Sequence, residues 1–435
     1  MTWNHQLILA LPLASGASGY VTKSGAGKLP SLGWNSWNMY GCDIDEAKFL
    51  AAAQKMIDTG LKDAGYNYVN VDDCWSLKTG RADDGHIKVN TTRFPNGIDG
   101  LAKKIHDMDL KIGIYSSAGT ANCAGGYAGS LEHEDTDAAD WASWGIDYLK
   151  YDNCNVPDNW KDQYVFCHPD HVKTNSNGTC TPETTENLAP EGYDWRTSKS
   201  FERFNRMKDA LAKQDHEILY SMCIWGTADI FSWGNDTGVN WRMSGDISAN
   251  WDSVTHIINL NSFYLNSVDF WGHNDADMLE VGNNLSDAEA RSHFALWAAM
   301  KSPLLIGTDL DKLSQSNIDI LKNKHLLAFN QDDTVGPPAT PYKWGINPDW
   351  TYNSTNPAEF WAGDSKDGVL VLMLNTLGET TSKTAAWSEV PGLDASNHRV
   401  TDVWTGDDLG CLGEYKADVA SHDTAAILVA KEPCT

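Results

Sequence analysis

Short apolar runs alternate with segments of helical apolar spacing between residues 30 and 330, and this alternation restricts the possible folds most strongly. Parallel strands need long crossover connections, usually helices, so regular strand–helix alternation is typical of α/β folds. Eight expected strands that alternate with helices predict a (β/α)8 TIM barrel over residues 30–330, with a doubly wound open sheet as the alternative. The expected strands are residues 32–34, 66–71, 111–116, 148–151, 217–222, 240–243, 268–271 and 303–307.

Several of the intervening helices have recognisable starts or apolar faces. Asp45 is expected to cap a helix that ends at Gly60. Ser286 and Glu289 form the signature of a capping box, which predicts a helix start. A further helix is predicted from the helical spacing of Phe201, Phe204, Met207 and Leu211.

The pattern changes after Phe329, where helical spacing nearly disappears. Residues 336–341 resemble a linker, and Asp367-Gly368 is a hairpin-turn dipeptide between strand signals. These signals predict a small antiparallel β domain, a sandwich, over residues 342–435, with no chemistry assigned to it. The expected strands are residues 359–362, 369–374, 399–404 and 425–430.

The first residues predict export. Residues 1–19 contain an apolar run followed by small residues, as in a secretory signal peptide, although Lys and Arg are absent from its start. The run is too short to span a bilayer. We therefore expect a secreted, extracellular glycoprotein with no membrane partner. The candidate glycan acceptors, each in an Asn-x-Ser/Thr sequon, are Asn90, Asn177, Asn235, Asn284 and Asn353.

The nine cysteines suit an oxidising compartment. Cys167 and Cys180 flank a polar loop and are expected to pair. Cys411 and Cys434 are the only two cysteines in the last third of the chain and can pair with each other, but the sequence leaves that pairing open. An odd number remains, so one thiol is expected to be free. The remaining cysteines, whose pairing the spacing leaves open, are Cys42, Cys74, Cys123, Cys154 and Cys223.

Charge and composition narrow the class of partner. The formal charge of −26 argues against nucleic acid or an anionic membrane surface. Tryptophan is abundant, with 19 residues. Core packing accounts for most of them, and stacking on sugar rings is the functional alternative.

Polar and aromatic side chains gather at the predicted strand ends, where parallel barrels carry their active sites. Each acid there could instead cap the following helix, and Asp309 is expected to do only that. Many acids with few cations suit a neutral, hydroxyl-rich ligand, because carboxylates accept hydrogen bonds from hydroxyl groups. These residues are Trp34, Trp37, Asp72, Asp73, Trp75, Tyr115, Lys150, Asp152, Cys223, Trp225, Arg242, Asp246, Asp275, Asp277 and Asp309.

Two of these acids suit glycoside hydrolysis, which needs a nucleophile and an acid/base on different strands. Lys150 and Asp152 alternate along one strand and share a face, so the lysine can keep Asp152 ionised as a nucleophile; a structural ion pair is the alternative. Asp246, four residues after Arg242, suits an acid/base carried on a loop.

A metal centre is the competing interpretation of the acid cluster. Asp275 and Asp277 can converge, and hard cations accept such ligands. However, Lys150 and Arg242 would repel the ion, and the sequence has no histidine cluster, HExxH motif or nucleotide-binding glycine fingerprint. We therefore predict neither a metal nor a cofactor.

The motifs of this region resemble the α-galactosidases (melibiases) of glycoside hydrolase family 27. The resemblance covers the whole predicted barrel in order and has no comparable motif in the C-terminal region. It rests on the segments LGWNSW from Leu32, DAGY from Asp63, VDDCW from Val71, RFP from Arg93, GIY from Gly113, CAG from Cys123, KYDNC from Lys150, NDADML from Asn274 and NQD from Asn330.

The resemblance implies retaining hydrolysis of terminal α-linked galactose in oligosaccharides such as melibiose and raffinose, or in galactomannan. It implies Asp152 as nucleophile and Asp246 as acid/base. It also implies the disulfides Cys42–Cys74 and Cys123–Cys154, with Cys223 free. The positions that match substrate-binding residues of the family are Trp37, Asp72, Asp73, Cys123, Lys150, Cys223, Trp225, Arg242 and Asp277.

One position departs from the family pattern. Many relatives carry an acid where this chain has Ile224, in the loop that helps to select between galactose and N-acetylgalactosamine. The bulky Trp225 favours galactose, because an acetamido group needs small neighbours. The alternatives are an α-N-acetylgalactosaminidase, a β-L-arabinopyranosidase, or a non-catalytic galactose-binding protein on the same barrel.

Overall fold

The computed structural model describes residues 20–180 and 187–434. The predicted signal peptide at 1–19 lies outside the described residues. The strands of the first 330 residues are β1 Leu32–Asn35, β2 Tyr68–Asn70, β3 Ser76–Arg81, β4 Ile87–Val89, β5 Lys111–Ser117, β6 Tyr148–Asp152, β7 Leu219–Cys223, β8 Asn240–Arg242, β9 His273–Asp275 and β10 Leu304–Ile306.

Eight of these described strands form a parallel sheet in the order β10-β1-β2-β5-β6-β7-β8-β9. A parallel bridge between Leu279 and Ile306 joins the two ends of the sheet. The predicted barrel is therefore confirmed, and the doubly wound open sheet is wrong. Strand and helix side chains such as Ile112, Leu149 and Phe204 are fully buried in one continuous apolar core.

The helices follow the strands as expected. Asp45 accepts a hydrogen bond from the backbone of Lys48, and Ser286 forms a capping box with Glu289. The α-helices are α1 Trp37–Tyr40, α2 Glu46–Asp58, α3 Gly97–Asp107, α4 Glu134–Trp144, α5 Lys199–Ala212, α6 Gly234–Thr237, α7 Trp251–Asn261, α8 Asp287–Ala299, α9 Gln315–Leu321 and α10 Lys324–Asn330.

Two parts of the barrel differ from the sequence prediction. The strand predicted at 268–271 is wrong: Asp269 and Gly272 close a turn there, and the strand is the polar segment His273–Asp275. Its side chains are polar although they are buried, so the segment shows no alternation of apolar and polar residues that could reveal a strand. The hairpin of β3 and β4 was also not predicted, because most of its side chains are exposed or half-buried.

The C-terminal region is antiparallel, as predicted. Six strands described there form one sheet in the order β11-β12-β13-β18-β15-β16, and β14 pairs with β17 in a second sheet. Pro341 lies in β11, within the predicted linker, and it is tolerated there because β11 is an edge strand with a bulge. The strands are β11 Thr340–Lys343, β12 Phe360–Ser365, β13 Gly368–Leu374, β14 Thr381–Ala386, β15 His398–Asp402, β16 Asp408–Leu412, β17 Glu414–Val419 and β18 Thr424–Pro433.

Disulfides and an ion pair link parts of the fold that are distant in sequence. The four disulfides of the described chain are Cys42–Cys74, Cys123–Cys154, Cys167–Cys180 and Cys411–Cys434. Arg291 of α8 forms an ion pair with Asp423, which joins the barrel to the C-terminal sheets. Over residues 20–180 and 187–434, no helix is both long and apolar enough to cross a membrane.

The predicted glycan acceptors differ in exposure. Asn177, Asn235 and Asn284 are exposed, whereas Asn90 and Asn353 are half-buried. In Asn177, the side-chain oxygen accepts a hydrogen bond from the Thr179 hydroxyl of the same sequon at 2.7 Å. A bulky glycan must project into solvent from the folded protein, so the first three positions accommodate one most readily.

Candidate active site

A cavity opens at the carboxyl ends of the barrel strands, and it encloses about 480 Å³ counted to its open mouth. Side chains from distant parts of the sequence meet there because parallel strands emit their loops at one end. The residues lining the cavity are Trp37, Asn38, Asp72, Asp73, Tyr115, Cys123, Lys150, Asp152, Cys154, Trp225, Arg242, Asp246, Asp277 and Met278.

Asp72 and Asp73, which follow β2, lie on the cavity wall with different partners. One oxygen of Asp72 accepts hydrogen bonds from Asn35 at 2.9 Å and from Lys150 at 2.8 Å. Asp73 accepts from the side chain of Asn122 and from the backbone of Ala124. Burial raises the pKa of Asp73, although these donors oppose the shift. Both carboxylates are thereby oriented as acceptors toward the cavity.

Lys150 of β6 pairs with Asp72 rather than with its strand neighbour Asp152. Burial disfavours its positive charge, but the negative charge of Asp72 and further acids nearby raise the pKa of Lys150 well above its ordinary value. The lysine therefore stays charged in the cavity. Its ammonium also lies 5.3 Å from the centre of the Tyr115 ring.

Asp152 ends β6 and is only 6% exposed. Its oxygens accept hydrogen bonds of 2.8 Å from the Tyr115 hydroxyl and from the backbone N–H of Asn153. Burial raises the pKa of Asp152 to about 6, while Lys150 and the Tyr115 hydrogen bond limit the rise. The prediction that Lys150 lowers the pKa of Asp152 is correct in direction, but burial is the larger effect.

Arg242 of β8 is buried between two acids. Its guanidinium lies 3.0 Å from Asp277 and 3.0 Å from Asp246. Burial opposes its charge, yet Asp277 raises the pKa of Arg242 well above its ordinary value. Asp277 is itself buried, and both members of this pair line the cavity.

Asp246 differs from the other acids because its side chain is 70% exposed. Partial desolvation works against its charge, but Arg242 holds the pKa of Asp246 below its usual value. The two acids predicted to do the chemistry therefore sit in opposite environments: Asp152 is buried and Asp246 lies at the mouth.

Aromatic residues and a disulfide complete the wall. Trp37 and Trp225 are half-buried and present part of their rings to the cavity, beside the Cys123–Cys154 disulfide. Trp225 has a φ of +57°, an unusual conformation for a bulky residue. Ile224 is fully buried in the barrel core and does not line the cavity.

Some predicted residues lie elsewhere. Cys223 is buried behind the wall, where Arg242 donates to its sulfur at 3.7 Å, and burial raises the pKa of its thiol well above the ordinary value. Asp275 does not line the cavity either; it accepts a hydrogen bond from the backbone of Asp277. Asp309 caps the short helix Leu310–Lys312, as predicted.

Other residues of the site were not assigned to it from the sequence. Asn38 and Met278 line the cavity, and each is next to or within a motif that was recognised. Tyr115 was noted at a strand end but received no role. Within the described residues, the group that brings metal-type ligands together is Cys123, Asp152 and Cys154, and its two sulfurs are bonded to each other.

Known proteins are similar to this chain in sequence and architecture. The family described as "Alpha galactosidase A" matches residues 29–179 and 190–332, and the "Alpha galactosidase C-terminal beta sandwich domain" matches residues 355–429. The chain is 58% identical to the probable α-galactosidase B of Talaromyces emersonii, over 95% of this chain and 94% of that protein.

Solved structures agree with these matches. The α-galactosidase I of Mortierella vinacea is 32% identical, with a TM-score of 0.79 over 95% of this chain and all of that one. An α-galactosidase of Saccharomyces cerevisiae, solved with raffinose, is 27% identical, with a TM-score of 0.78 over 94% of this chain and 99% of that one. The chain therefore belongs to the α-galactosidase family of glycoside hydrolases.

Proposed function

We propose that the protein is a secreted, retaining exo-α-galactosidase that releases terminal α-linked galactose from oligosaccharides such as melibiose and raffinose or from galactomannan. The observation that carries this proposal is the placement of Asp152 and Asp246 on one cavity, from the ends of different strands. Two carboxylates of this kind suffice for a double displacement.

In the first step, an oxygen of Asp152 attacks the anomeric carbon while Asp246 gives its proton to the glycosidic oxygen. The glycosidic bond breaks, the aglycone leaves as an alcohol, and galactose is bound to Asp152 as an ester. In the second step, Asp246 removes a proton from water, and the water oxygen attacks the anomeric carbon. The ester bond breaks, Asp152 recovers its charge, and two inversions leave the original anomeric configuration.

The environments of the two acids bear on this mechanism. In the free protein Asp246 has a lowered pKa, whereas the first step needs its proton. Asp246 is exposed, and Arg242 keeps Asp277 as a second, buried partner, so Asp246 can leave Arg242 without stranding the buried cation. We infer that substrate draws Asp246 away from Arg242, which raises the pKa of Asp246 and favours the protonated acid.

The remaining wall supports a sugar ligand. Asp72 and Asp73 can accept hydrogen bonds from hydroxyl groups, Lys150 can donate to them, and Trp37 offers an apolar face to a ring. Trp225 fills the part of the wall where the resemblance places the contact that selects galactose. Raffinose, present in the yeast relative's structure, is one substrate to test.

The decisive assay is hydrolysis of an aryl α-galactoside by purified protein in the presence of a chelator. We expect turnover, and NMR of the first product should show α-galactose before mutarotation. Release of β-galactose would refute the retaining mechanism, and absence of turnover would refute the α-galactosidase activity itself. Parallel assays with aryl α-N-acetylgalactosaminide and β-L-arabinopyranoside distinguish the other two activities.

The nucleophile is tested separately by covalent labelling. An activated fluoro-galactoside should label the peptide that contains Asp152 in the wild type. Asp152→Asn should remove that label, whereas Asp246→Asn, which keeps the nucleophile, should retain it. Labelling of a different peptide in the wild type would show that Asp152 is not the nucleophile.

Secretion and glycosylation are tested by expressing the full chain in a eukaryotic host. We expect the protein in the medium, beginning after residue 19, with glycans on exposed sequons such as Asn177, Asn235 and Asn284. Mass spectrometry of the secreted protein, before and after enzymatic deglycosylation, identifies both its first residue and its glycosylated asparagines. Retention of residues 1–19 in secreted protein would contradict the signal-peptide assignment.

A further inference from the structure

The backbone on both sides of Asp246 is held by carboxylates. The N–H of Ile247 donates to Asp277 at 2.8 Å, within the barrel. The N–H of Gly245 donates at 2.9 Å to Asp170, which comes from the long loop between β6 and α5. The Asp246 side chain is itself exposed, so these two backbone contacts help to define where Asp246 lies.

Asp170 is itself held in place. Its second oxygen lies 2.6 Å from Nε2 of His256, on α7, and its side chain is only 12% exposed. Burial works against its charge, but His256 and the Gly245 N–H hold the pKa of Asp170 at about 2. Asp170 is therefore a charged acceptor at neutral pH, and hydrogen bonds to charged acceptors are stronger than neutral ones.

The neighbours of Asp170 contact the loop that follows β7 and carries Trp225. Nε2 of His171 lies 2.7 Å from the carbonyl oxygen of Trp225. His168 is fully buried and packs under Gly226, where a Cβ would come within 2.4 Å of its ring. The Cys167–Cys180 disulfide holds the start of this segment. Residues 168–171 thus contact the backbone beside Asp246 and beside Trp225.

We propose that Asp170 is a positioning residue for the acid/base: through the Gly245 N–H it holds Asp246 where a proton can reach the glycosidic oxygen. The inference rests on the proposed function, because it takes Asp246 as the acid. Asp170 is not among the residues that line the cavity, so we expect it to act through Asp246 rather than by touching the substrate. Its loss should impair only the steps that need proton transfer.

The test compares substrates that differ in their need for an acid. Departure of an alkoxide from melibiose needs a proton, whereas fluoride leaves from α-galactosyl fluoride with little help. For Asp170→Ala, we expect kcat/KM on melibiose to fall about 10- to 100-fold and kcat/KM on the fluoride to change less than about threefold. Asp170→Asn keeps an acceptor oxygen for the Gly245 N–H. Its kcat/KM on melibiose should therefore fall less than that of Asp170→Ala, and its kcat/KM on the fluoride should again change little.

The controls separate positioning from folding. Asp162 lies in the same loop but accepts hydrogen bonds from Ser200, so Asp162→Ala should affect both substrates equally. Equal losses on both substrates for Asp170→Ala, or no loss, would overturn the inference. If that variant does not fold, as judged by circular dichroism, the substrate ratio of Asp170→Asn decides in the same way.

Asp246→Ala is the reference for the proposed function. Its kcat/KM should fall far more on melibiose than on the fluoride, because kcat/KM reports the first step, in which the fluoride needs little acid assistance. If it loses both equally, the assignment of Asp246 as the acid is wrong, and the proposed mechanism fails. If it shows the expected selectivity while Asp170→Ala does not, the mechanism stands and only the positioning role of Asp170 fails.

Discussion

The hydroxyl of Tyr115 donates a 2.8 Å hydrogen bond to Asp152, a buried carboxyl whose pKa burial raises to about 6. The phenol thus opposes the desolvation that would otherwise neutralise the proposed nucleophile. Tyr115 belongs to β5 and Asp152 to the adjacent β6, and the backbone pairing of these parallel strands brings them together.

Tyr115→Phe should shift the pH dependence of the first step. The hydrogen bond favours ionised Asp152, so removing it raises the pKa by about one unit above the wild-type value near 6. The measurement is kcat/KM for α-galactosyl fluoride against pH, because this substrate needs no proton from Asp246. The rate should rise with pH in both proteins and later in the variant. An unchanged midpoint would show that the phenol has no part in the ionisation of Asp152.

Asp152→Asn should make the protein more stable at neutral pH. The pKa of Asp152 is higher in the folded protein than in the unfolded chain, so its protonated form favours folding. This contribution to stability is complete below the unfolded pKa of 3.8 and is lost as the pH rises through about 6. A neutral amide avoids this loss, which amounts to about 3 kcal/mol above pH 7 for a shift of about two units. Thermal unfolding should show a higher Tm for the variant at pH 7.5 and no gain at pH 4.

The exposed Asp63 supplies the matched control for that experiment, since Asp63→Asn removes an acid that already lies in solvent. Its Tm should match the wild type at both pH values. A variant Asp152→Asn that is less stable than the wild type at pH 7.5 would contradict the argument.

Cys223 should be unreactive in the native protein. All nine cysteines lie in the described part of the chain, and Cys223 alone among them is unpaired there. It is buried, and burial raises the pKa of its thiol, so both access and thiolate formation are disfavoured. A colourimetric thiol reagent should detect no thiol before denaturation and one per chain in guanidinium. Rapid reaction of the native protein would contradict the buried position.

The C-terminal sheets contain a buried ion pair that should be sensitive to single substitution. Lys383 lies 2.9 Å from Glu359, and both side chains are less than 5% exposed. Lys383→Met leaves a buried carboxylate without its cation and should destabilise the protein by about 3–5 kcal/mol. The double variant with Glu359→Gln should recover much of the loss. Urea unfolding measures the free energy of unfolding of the single and the double variant. Equal stability of Lys383→Met and the wild type would show that the ion pair is dispensable.

Sequence-based prediction succeeded where local pattern and tertiary environment agree. The helix after Asp45 and the strand ending at Asp152 have apolar spacing that matches their burial. It failed at β9, His273–Asp275, because the strand is polar and its burial depends on neighbours distant in sequence. The strands β14, β16 and β17 were missed for a related reason: many of their side chains are exposed or half-buried.

The sequence by itself determined the strand–helix alternation, the acids at the strand ends and the family motifs, because these depend on residue type and spacing along the chain. Only the tertiary structure decided which acids meet, how far each is buried and what each contacts. Lys150 of β6 pairs with Asp72 after β2, Cys223 lies behind the wall, and Asp170 reaches Gly245 from the long loop. Such contacts join residues distant in sequence, and desolvation depends on everything packed around a group, so neither could be derived from local pattern.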